Sequence, residues 1–377
     1  PMTAPAPLVI ERITLSIVSL ELINAFRAST HAAKQLKHVL VRAEAAGGLV
    51  GWGECSTTTD PYDLGETTET AWHIACDFLA PAVLGKPWSH PAEFAALYGL
   101  VKGNTFAKAG LEMAAWDVYA RALGVPVARA LGGSRDAIAS GVSLGMEPDP
   151  GRLFELIDDY RAQGYRRVKL KVGPGHDLDV LERVRARYPD LPLMADANSA
   201  YTLDDVAHLR AFDAFDLMMI EQPLAWHDFV DHAKLQRELR TPLCLDESIR
   251  SLDDARHALD LGSCRVLNVK IARVGGLVEA KRIHDLCLAR GVPVWCGGMH
   301  DYGVGRAANV ALASLPGFTL PGDVSGSDKY FREDIVEPPF RAVDGVIAVP
   351  TGPGWGHDTV EARVRAATLR ETTLTAP

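Results

Sequence analysis

No stretch of the 377-residue chain reaches the roughly 18 consecutive apolar residues that a membrane-spanning helix requires. Acidic and basic residues are interspersed without a basic run, and the net charge is −9. Nucleic acid and anionic membranes are therefore not expected partners. The first residues do not have the composition of a signal peptide, so we expect a cytoplasmic protein.

The six cysteines show no CxxC spacing, and no Gly-x-Gly-x-x-Gly motif follows the first strand-like stretch. We expect reduced core thiols, not disulfides or a zinc site. The missing glycine motif argues against a dinucleotide-binding open sheet. Hydrophobic residues make up 47 % of the chain and charged residues 23 %, a composition typical of a globular enzyme. The length of 377 residues predicts one large domain and one smaller domain.

Residues 1–130 begin with strand-like stretches and continue with helical patterns. The predicted strands and helices are Leu8–Leu22, Leu36–Ala45 and Leu49–Glu54, followed by Thr67–Leu84, Pro91–Val101 and Ala107–Leu123. Two loop-like segments, Asn24–Thr30 and Ser56–Leu64, interrupt them. This order predicts an α+β capping domain.

In residues 131–325, strand-like runs alternate with helical stretches. The predicted strands begin near residues 140, 167, 192, 217, 242, 266, 293 and 318, in steps of about 25 residues. Eight βα units of this size indicate a (β/α)8 TIM-like barrel, with a doubly wound open sheet as the alternative. Residues 326–377, with a predicted helix at Thr359–Leu369, are expected to pack back on the capping domain.

The second barrel strand carries two lysines, Lys169 and Lys171, whose side chains point the same way because strand residues alternate. Two neighbouring ammonium groups disfavour each other's charge. We therefore expect the pKa of Lys171 to be lowered toward the range in which a neutral amine accepts a proton. A solvent-exposed lysine pair on an edge strand is the simpler alternative.

Three carboxylates follow at the ends of strands three, four and five: Asp196, Glu221 and Asp246, each about 25 residues after the one before. The C-terminal ends of barrel strands are where active sites form. Carboxylates that converge there would repel each other unless a cation lies among them, and oxygen ligands suit Mg²⁺ or Mn²⁺ better than zinc. The alternative is that each acid only caps the helix after its strand.

Lys270 ends strand six, which lies across an eight-stranded ring from strand two. A substrate carboxylate bound to the metal would then have Lys171 on one face and Lys270 on the other. This arrangement suits removal of a proton α to the carboxylate, followed by its return on the opposite face.

These residues together resemble the enolase superfamily, in its muconate-lactonising-enzyme subgroup. The motifs are Lys169-Leu-Lys171, Asp196-Ala-Asn, Glu221-Gln-Pro, Asp246-Glu-Ser and Lys270. The segments Lys270–Gly276, Val294–Met299 and Gly305–Pro316 are similar to N-acylamino-acid racemases and o-succinylbenzoate synthases. The similarity extends over nearly the whole chain.

The resemblance implies that Lys171 and Lys270 are the two bases, and that Lys169 contacts the substrate carboxylate. It also implies that Asp196, Glu221 and Asp246 bind Mg²⁺, Mn²⁺ or Co²⁺. The residues expected to contact the small carboxylate substrate are Arg273, Asn198, Ser143, Phe26, Arg27, Ser29, Gly298, Met299 and Asp301. The resemblance further implies that the loops Asn24–Thr30 and Ser56–Leu64 close over the substrate. It implies a homo-oligomer as well, and an octamer is the assembly it suggests.

One segment departs from the family pattern. Relatives read Gly-Gly-Met-x-Glu-x-Gly after strand seven, whereas this chain has His300, Asp301 and Tyr302 within that motif. We expect these residues to reshape the acyl or side-chain pocket. The expected activity is racemisation of N-succinylamino acids, with o-succinylbenzoate synthesis as the main alternative. Dipeptide epimerisation, cycloisomerisation, acid-sugar dehydration and a non-catalytic binding role remain open.

Overall fold

The computed structural model describes residues 6–27, 32–62 and 65–377, and within these ranges it leaves out the side chains of residues 24–27, 32 and 33. The chain begins with three antiparallel strands, β1 (Leu8–Arg27), β2 (Ala32–Ala45) and β3 (Val50–Cys55). The loop predicted from Asn24 is wrong at its start because β1 continues through Arg27. Its pairing with β2 shifts register between Glu21 and Phe26 and then resumes, so a bulge absorbs the polar interruption.

Helices cover one face of this first sheet. The helical elements of this region are α1 (Thr68–Ile74), a π-helical turn (Ala75–Leu79), α2 (Ala80–Val83), α3 (Pro91–Ala96), α4 (Thr105–Leu123) and α5 (Val127–Leu131). A short strand between α2 and α3, β4 (Pro87–Trp88), pairs with β1. The helix predicted at Thr67–Leu84 is thus one helical run with a π-helical turn in its middle. The longest helix, α4, lies directly against β3.

Glycines allow α4 and β3 to approach backbone to backbone. A Cβ atom at Gly53 would lie 1.8 Å from the Gly110 carbonyl oxygen, and one at Gly110 would lie 2.3 Å from Cys55 Sγ. Neither neighbour is the movable end of a long side chain. A methyl group at Gly53 therefore requires the helix to move away from the sheet.

We expect Gly53→Ala to lower the free energy of unfolding by about 3 kcal/mol or more, through overpacking of this contact. Gly151→Ala is the matched control, because its Cβ would meet no atom closer than 3.4 Å and it lies in the first turn of a helix. That variant should change stability by less than about 1 kcal/mol. Urea unfolding of both variants measures the difference, and equal stability would refute the close approach.

The barrel consists of seven parallel strands whose spatial order follows the chain from β6 to β12. After β5 (Ala137–Ala139), the strands are β6 (Val142–Leu144), β7 (Val168–Lys171), β8 (Leu193–Asp196), β9 (Ile220–Glu221), β10 (Leu243–Leu245), β11 (Val266–Val269) and β12 (Val294–Cys296). The helices are α6 (Pro150–Ala162), α7 (Leu178–Arg187), α8 (Val206–Leu209), α9 (Val230–Glu238), α10 (Leu252–Leu261), α11 (Ile271–Val274), α12 (Leu277–Arg290) and α13 (Gly303–Ala313). Short 3₁₀ turns at Leu203–Asp205 and Arg210–Ala214 flank α8.

The eighth unit differs from the prediction. Residues 318–322 form single parallel bridges, from Phe318 to Val294 on β12 and from Gly322 to Ser140 beside β6. Prolines at positions 316 and 321 remove donors that a full strand would need. A 3₁₀ turn, Ser327–Lys329, follows in place of a helix. The bridges join both ends of the sheet, so the barrel prediction is confirmed and the open doubly wound sheet is not found.

The C-terminal residues return to the first sheet. The remaining elements are β13 (Val336–Glu337), β14 (Val346–Ala348), β15 (Asp358–Thr359), α14 (Glu361–Ala367) and β16 (Thr368–Thr375). Strand β16 pairs antiparallel with β1, from Arg12 opposite Thr375 onward. All six cysteines are free thiols, as predicted. None of the helices in the described ranges is long and apolar enough to cross a membrane.

A buried carboxylate joins the first sheet to the barrel. Glu54, in β3, accepts hydrogen bonds from the backbone N–H groups of Tyr302 (2.8 Å) and Gly305 (2.7 Å) at the start of α13. His38 on β2 lies 2.6 Å from the same carboxylate. A negative charge here satisfies donors that the helix leaves unpaired. The capping sheet is thereby fixed beside the loop that follows the seventh barrel strand.

Candidate active site

Strand register brings the predicted residues together. Lys171 pairs with Asp196, and Asp196 pairs with Glu221, so these three residues lie side by side on neighbouring strands. Glu221 pairs with Cys244, which places Asp246 two residues further along, just beyond β10. All of them lie at the C-terminal ends of their strands. A regular spacing of the acids in the sequence thus becomes one cluster in space.

Lys169 forms the centre of this cluster. Its ammonium group lies 3.2 Å from Asp196, 3.0 Å from Glu221 and 2.6 Å from Asp323, and it faces the ring of Trp295 at 5.1 Å. Burial alone would lower the pKa of Lys169, but the three carboxylates raise it well above its ordinary value. The three carboxylates therefore favour the charged form of Lys169 in the floor of the site.

The other two lysines pair with different carboxylates. Lys171 donates to Asp196 at 2.7 Å, and Lys270 donates to Asp246 at 2.8 Å. Their strands, β7 and β11, are four positions apart in the sheet. Both lysines line one cavity of about 120 Å³ at the mouth of the barrel. The two amines therefore reach this cavity from well-separated strands.

The predicted net lowering of the Lys171 pKa is wrong for the charge balance of this structure. Burial and Lys169 do lower the pKa of Lys171, but the adjoining Asp196 carboxylate outweighs them and the pKa is raised. The prediction took account of Lys169, which lies on the same strand. It did not include Asp196, which lies beside Lys171 on the next strand. A cation bound to Asp196 would oppose the effect of that carboxylate.

Glu221 is buried between two other carboxylates of the cluster. Burial, with Asp196 and Asp246 nearby, raises the pKa of Glu221 to about 8. The side-chain amide of Asn268 donates to Glu221 at 2.8 Å. Its side-chain oxygen is buried and has no hydrogen-bond partner among the described residues. An all-oxygen set under such repulsion fits a hard divalent cation such as Mg²⁺.

In this structure the ammonium groups of Lys169, Lys171 and Lys270 lie among the carboxylates of Asp196, Glu221 and Asp246. Within the described ranges, no three acidic, histidine or cysteine side chains are arranged to enclose a metal ion. Lys169, between Asp196 and Glu221, supplies positive charge at the place where a cation would be shared. The assignment of Asp196, Glu221 and Asp246 as metal ligands stays a prediction.

Most of the residues predicted to contact substrate line the same cavity: Asn198, Arg273, Ser143, Gly298, Met299 and Asp301. Asn198 accepts from Lys171 at 2.6 Å and donates to Glu247 at 3.0 Å, so it orients the Lys171 amine. Arg273 pairs with Asp246. The side chains of Phe26 and Arg27, and all of Ser29, lie outside the described residues.

The three residues that depart from the family pattern have separate roles. Asp301 accepts hydrogen bonds from Ser56 (2.6 Å) and from the Met299 backbone (3.0 Å), so it fixes a loop. The prediction that Tyr302 reshapes the pocket is wrong, because its buried hydroxyl reaches the Leu36 carbonyl at 2.6 Å and ties the barrel to the cap. Of the three, His300 and Asp301 line the cavity.

Two residues of the site, Asp323 and Arg167, were not identified from the sequence. Asp323 lies 2.6 Å from Lys169 and 2.8 Å from Arg167, and Arg167 is buried against the Trp295 ring at 5.2 Å. The signals were present in the sequence. Arg167 has the same strand parity as the two lysines, and Asp323 follows the eighth strand-like stretch as the other acids follow theirs. Together they fix the position of Lys169.

Two family models match the chain. One, described as the enolase C-terminal domain-like family, matches residues 152–363 and covers most of the barrel. The other, described as the N-terminal domain of mandelate racemase and muconate lactonizing enzyme, matches residues 12–132. The match to the first model alone covers more than half of the chain.

Similar proteins carry two different activity names. An o-succinylbenzoate synthase of Geobacillus kaustophilus is 51 % identical, over 97 % of this chain and 99 % of its own length. An N-succinylamino acid racemase of Thermus thermophilus is 46 % identical, over 89 % of this chain and 92 % of its own. A solved enolase-superfamily structure from Listeria innocua has a TM-score of 0.95 at 38 % identity, covering 98 % and 99 % of the two chains.

Proposed function

Since this chain belongs to the enolase superfamily, we propose that it racemises N-acylamino acids, specifically N-succinylamino acids, by proton transfer between two lysines. The observation that carries the proposal is the placement of Lys171 and Lys270 on strands four positions apart, both lining one cavity. A racemase needs a proton acceptor on one face of the α-carbon and a donor on the other.

In this mechanism Lys171 or Lys270 removes the α-proton, depending on the enantiomer bound, and the opposite lysine supplies a proton to the other face. Asn198 holds the Lys171 amine in place at 2.6 Å. Lys169, whose charged form the neighbouring carboxylates favour, attracts the carboxylate of the substrate. Thr57 and Thr58 of the cap line the cavity beside the barrel residues.

Asp196, Glu221 and Asp246 would hold Mg²⁺, Mn²⁺ or Co²⁺, whose charge would stabilise the negative charge that develops on the substrate carboxylate. Binding would also relieve the repulsion that raises the pKa of Glu221. Asn268 and Lys169 would keep Glu221 oriented from the other side.

A second activity on the same residues is synthesis of o-succinylbenzoate by dehydration. It is favoured by relatives that carry this name at 51 % and 49 % identity. In this reaction Lys171 can remove the α-proton and then give a proton to the departing hydroxyl group, which leaves as water. Lys270 can supply positive charge beside the negative charge that develops on the substrate. Both activities could therefore reside in one site.

Two assays on the purified protein separate these functions. Polarimetry with each enantiomer of an N-succinylamino acid should show decay of optical rotation to zero from both sides. Ultraviolet absorbance would report an aromatic product from the synthase substrate. Racemisation in the first assay supports the proposal, whereas aromatic product with no loss of optical rotation would replace it with the synthase function.

A further inference from the structure

A second cavity of about 380 Å³ adjoins the catalytic one. The two cavities share the wall residues Ser143, Lys171, His300 and Tyr330. The two cavities therefore lie on either side of these four residues, and a molecule held beside Lys171 would reach the second cavity by passing them. Apolar side chains form much of its lining, namely Leu22, Leu144, Met146, Leu156 and Tyr160.

One cation stands in this lining without a carboxylate partner. Lys329 donates to the Ser143 carbonyl at 3.3 Å and lies over the rings of Tyr160 (5.7 Å) and Tyr330 (5.1 Å). In the part of the chain that the structure describes, no acidic side chain forms an ion pair with it. The other charges of the lining are engaged, since Arg152 pairs with Glu155 and Glu147 accepts from the Asp149 backbone.

The wall around Lys329 is held firmly. Tyr330 lies between two cations, Lys329 and Arg306, at 5.1 and 5.2 Å from its ring. Its carbonyl accepts from the Ile23 backbone of β1 at 2.8 Å, and the His300 ring meets it edge to face at 5.2 Å. A preorganised ammonium at the rim of an apolar cavity is suited to a chain that is apolar in the middle and anionic at its end.

We propose that Lys329 binds the terminal carboxylate of the substrate's acyl group, which makes the second cavity the acyl pocket and sets the preference for succinyl over neutral acyl groups. The inference rests on the proposed function and adds a residue that determines specificity. The methylene groups of a succinyl chain would lie against Leu22 and Met146, and the terminal carboxylate would form an ion pair with Lys329. Arg27, which the family resemblance places among the substrate contacts, is the competing candidate for this carboxylate.

Calorimetric binding to the full chain with Mg²⁺ tests this without requiring turnover. The ligands are N-succinylglycine and its counterpart with a terminal carboxamide, which has the same shape and no charge. Wild type should bind the succinyl ligand about tenfold or more tightly than the carboxamide. Lys329→Met should remove that preference by weakening succinyl binding alone, and Lys329→Arg should retain it. Lys234→Met, which replaces an exposed lysine on α9, is the matched control.

Several results would overturn the assignment: no preference in the wild type, an unchanged preference in Lys329→Met, or loss of the preference in Arg27→Met alone. Equal weakening of both ligands would show a structural role for Lys329 and would also reject it. Failure of the proposed function gives a different result. A wild type that binds N-succinylglycine with the expected preference, but racemises no N-succinylamino acid, would contradict the racemase and leave the acyl pocket standing.

Discussion

Replacing Lys270 with alanine is expected to lower the racemisation rate by about a thousandfold or more, which corresponds to about 4 kcal/mol of transition-state stabilisation. The reason is geometric. Lys270 is held by Asp246 at 2.8 Å at the end of a strand four positions from that of Lys171, and a methyl group in its place cannot deliver a proton. Polarimetry on both enantiomers at saturating substrate measures kcat directly.

Lys171→Ala should cause a loss of similar size, because each direction of the reaction uses both amines. Lys234→Ala, at an exposed lysine, should retain full activity. Thermal unfolding must show that the variants remain folded; Asp246 keeps Arg273 as a partner when Lys270 is removed. Racemisation by Lys270→Ala within tenfold of wild type would contradict the two-base arrangement. Formation of o-succinylbenzoate should be less sensitive to this change than racemisation.

Divalent cations are expected to control both activity and stability. Chelation should abolish activity, and Mg²⁺ should restore it and raise the melting temperature, because a cation relieves the repulsion among Asp196, Glu221 and Asp246. At a hundred times its Kd the added stability would be about 2.7 kcal/mol. Differential scanning calorimetry with and without Mg²⁺ measures this independently of turnover.

Glu221→Gln should remove most of the Mg²⁺-dependent rise in melting temperature, since one charged ligand is lost from the cluster. Glu182→Gln, at an exposed position on α7, should leave the rise unchanged. Full activity of the chelated wild type would refute metal dependence. An undiminished rise in Glu221→Gln would place the cation elsewhere in the protein.

The sequence predicts this site well because parallel barrel strands bring residues of equal phase to one rim. Asp196 and Glu221, spaced by one βα unit, become register neighbours, and Lys171 joins them from the preceding strand. The same rule applies to Asp323, because it follows the eighth strand-like stretch as the other acids follow theirs. A repeat in the sequence fixes which residues meet; it does not fix their charge balance.

The failures of prediction concern contacts between segments far apart in the chain. The pKa of Lys171 depends on Asp196, and the role of Tyr302 depends on the Leu36 carbonyl in the cap. Neither partner can be inferred from local pattern. The extension of β1 through Arg27 likewise depends on pairing with β2, which overrides the polar composition of that segment.

Exchange of the α-proton with solvent deuterium, followed by nuclear magnetic resonance, tests the central geometry most directly. In wild type, deuterium should enter the α-position from both enantiomers. Lys171→Ala and Lys270→Ala should each lose exchange with one enantiomer and keep it with the other, in opposite senses. If both variants lost exchange with the same enantiomer, the two lysines would act from one face, and the two-base mechanism would be contradicted.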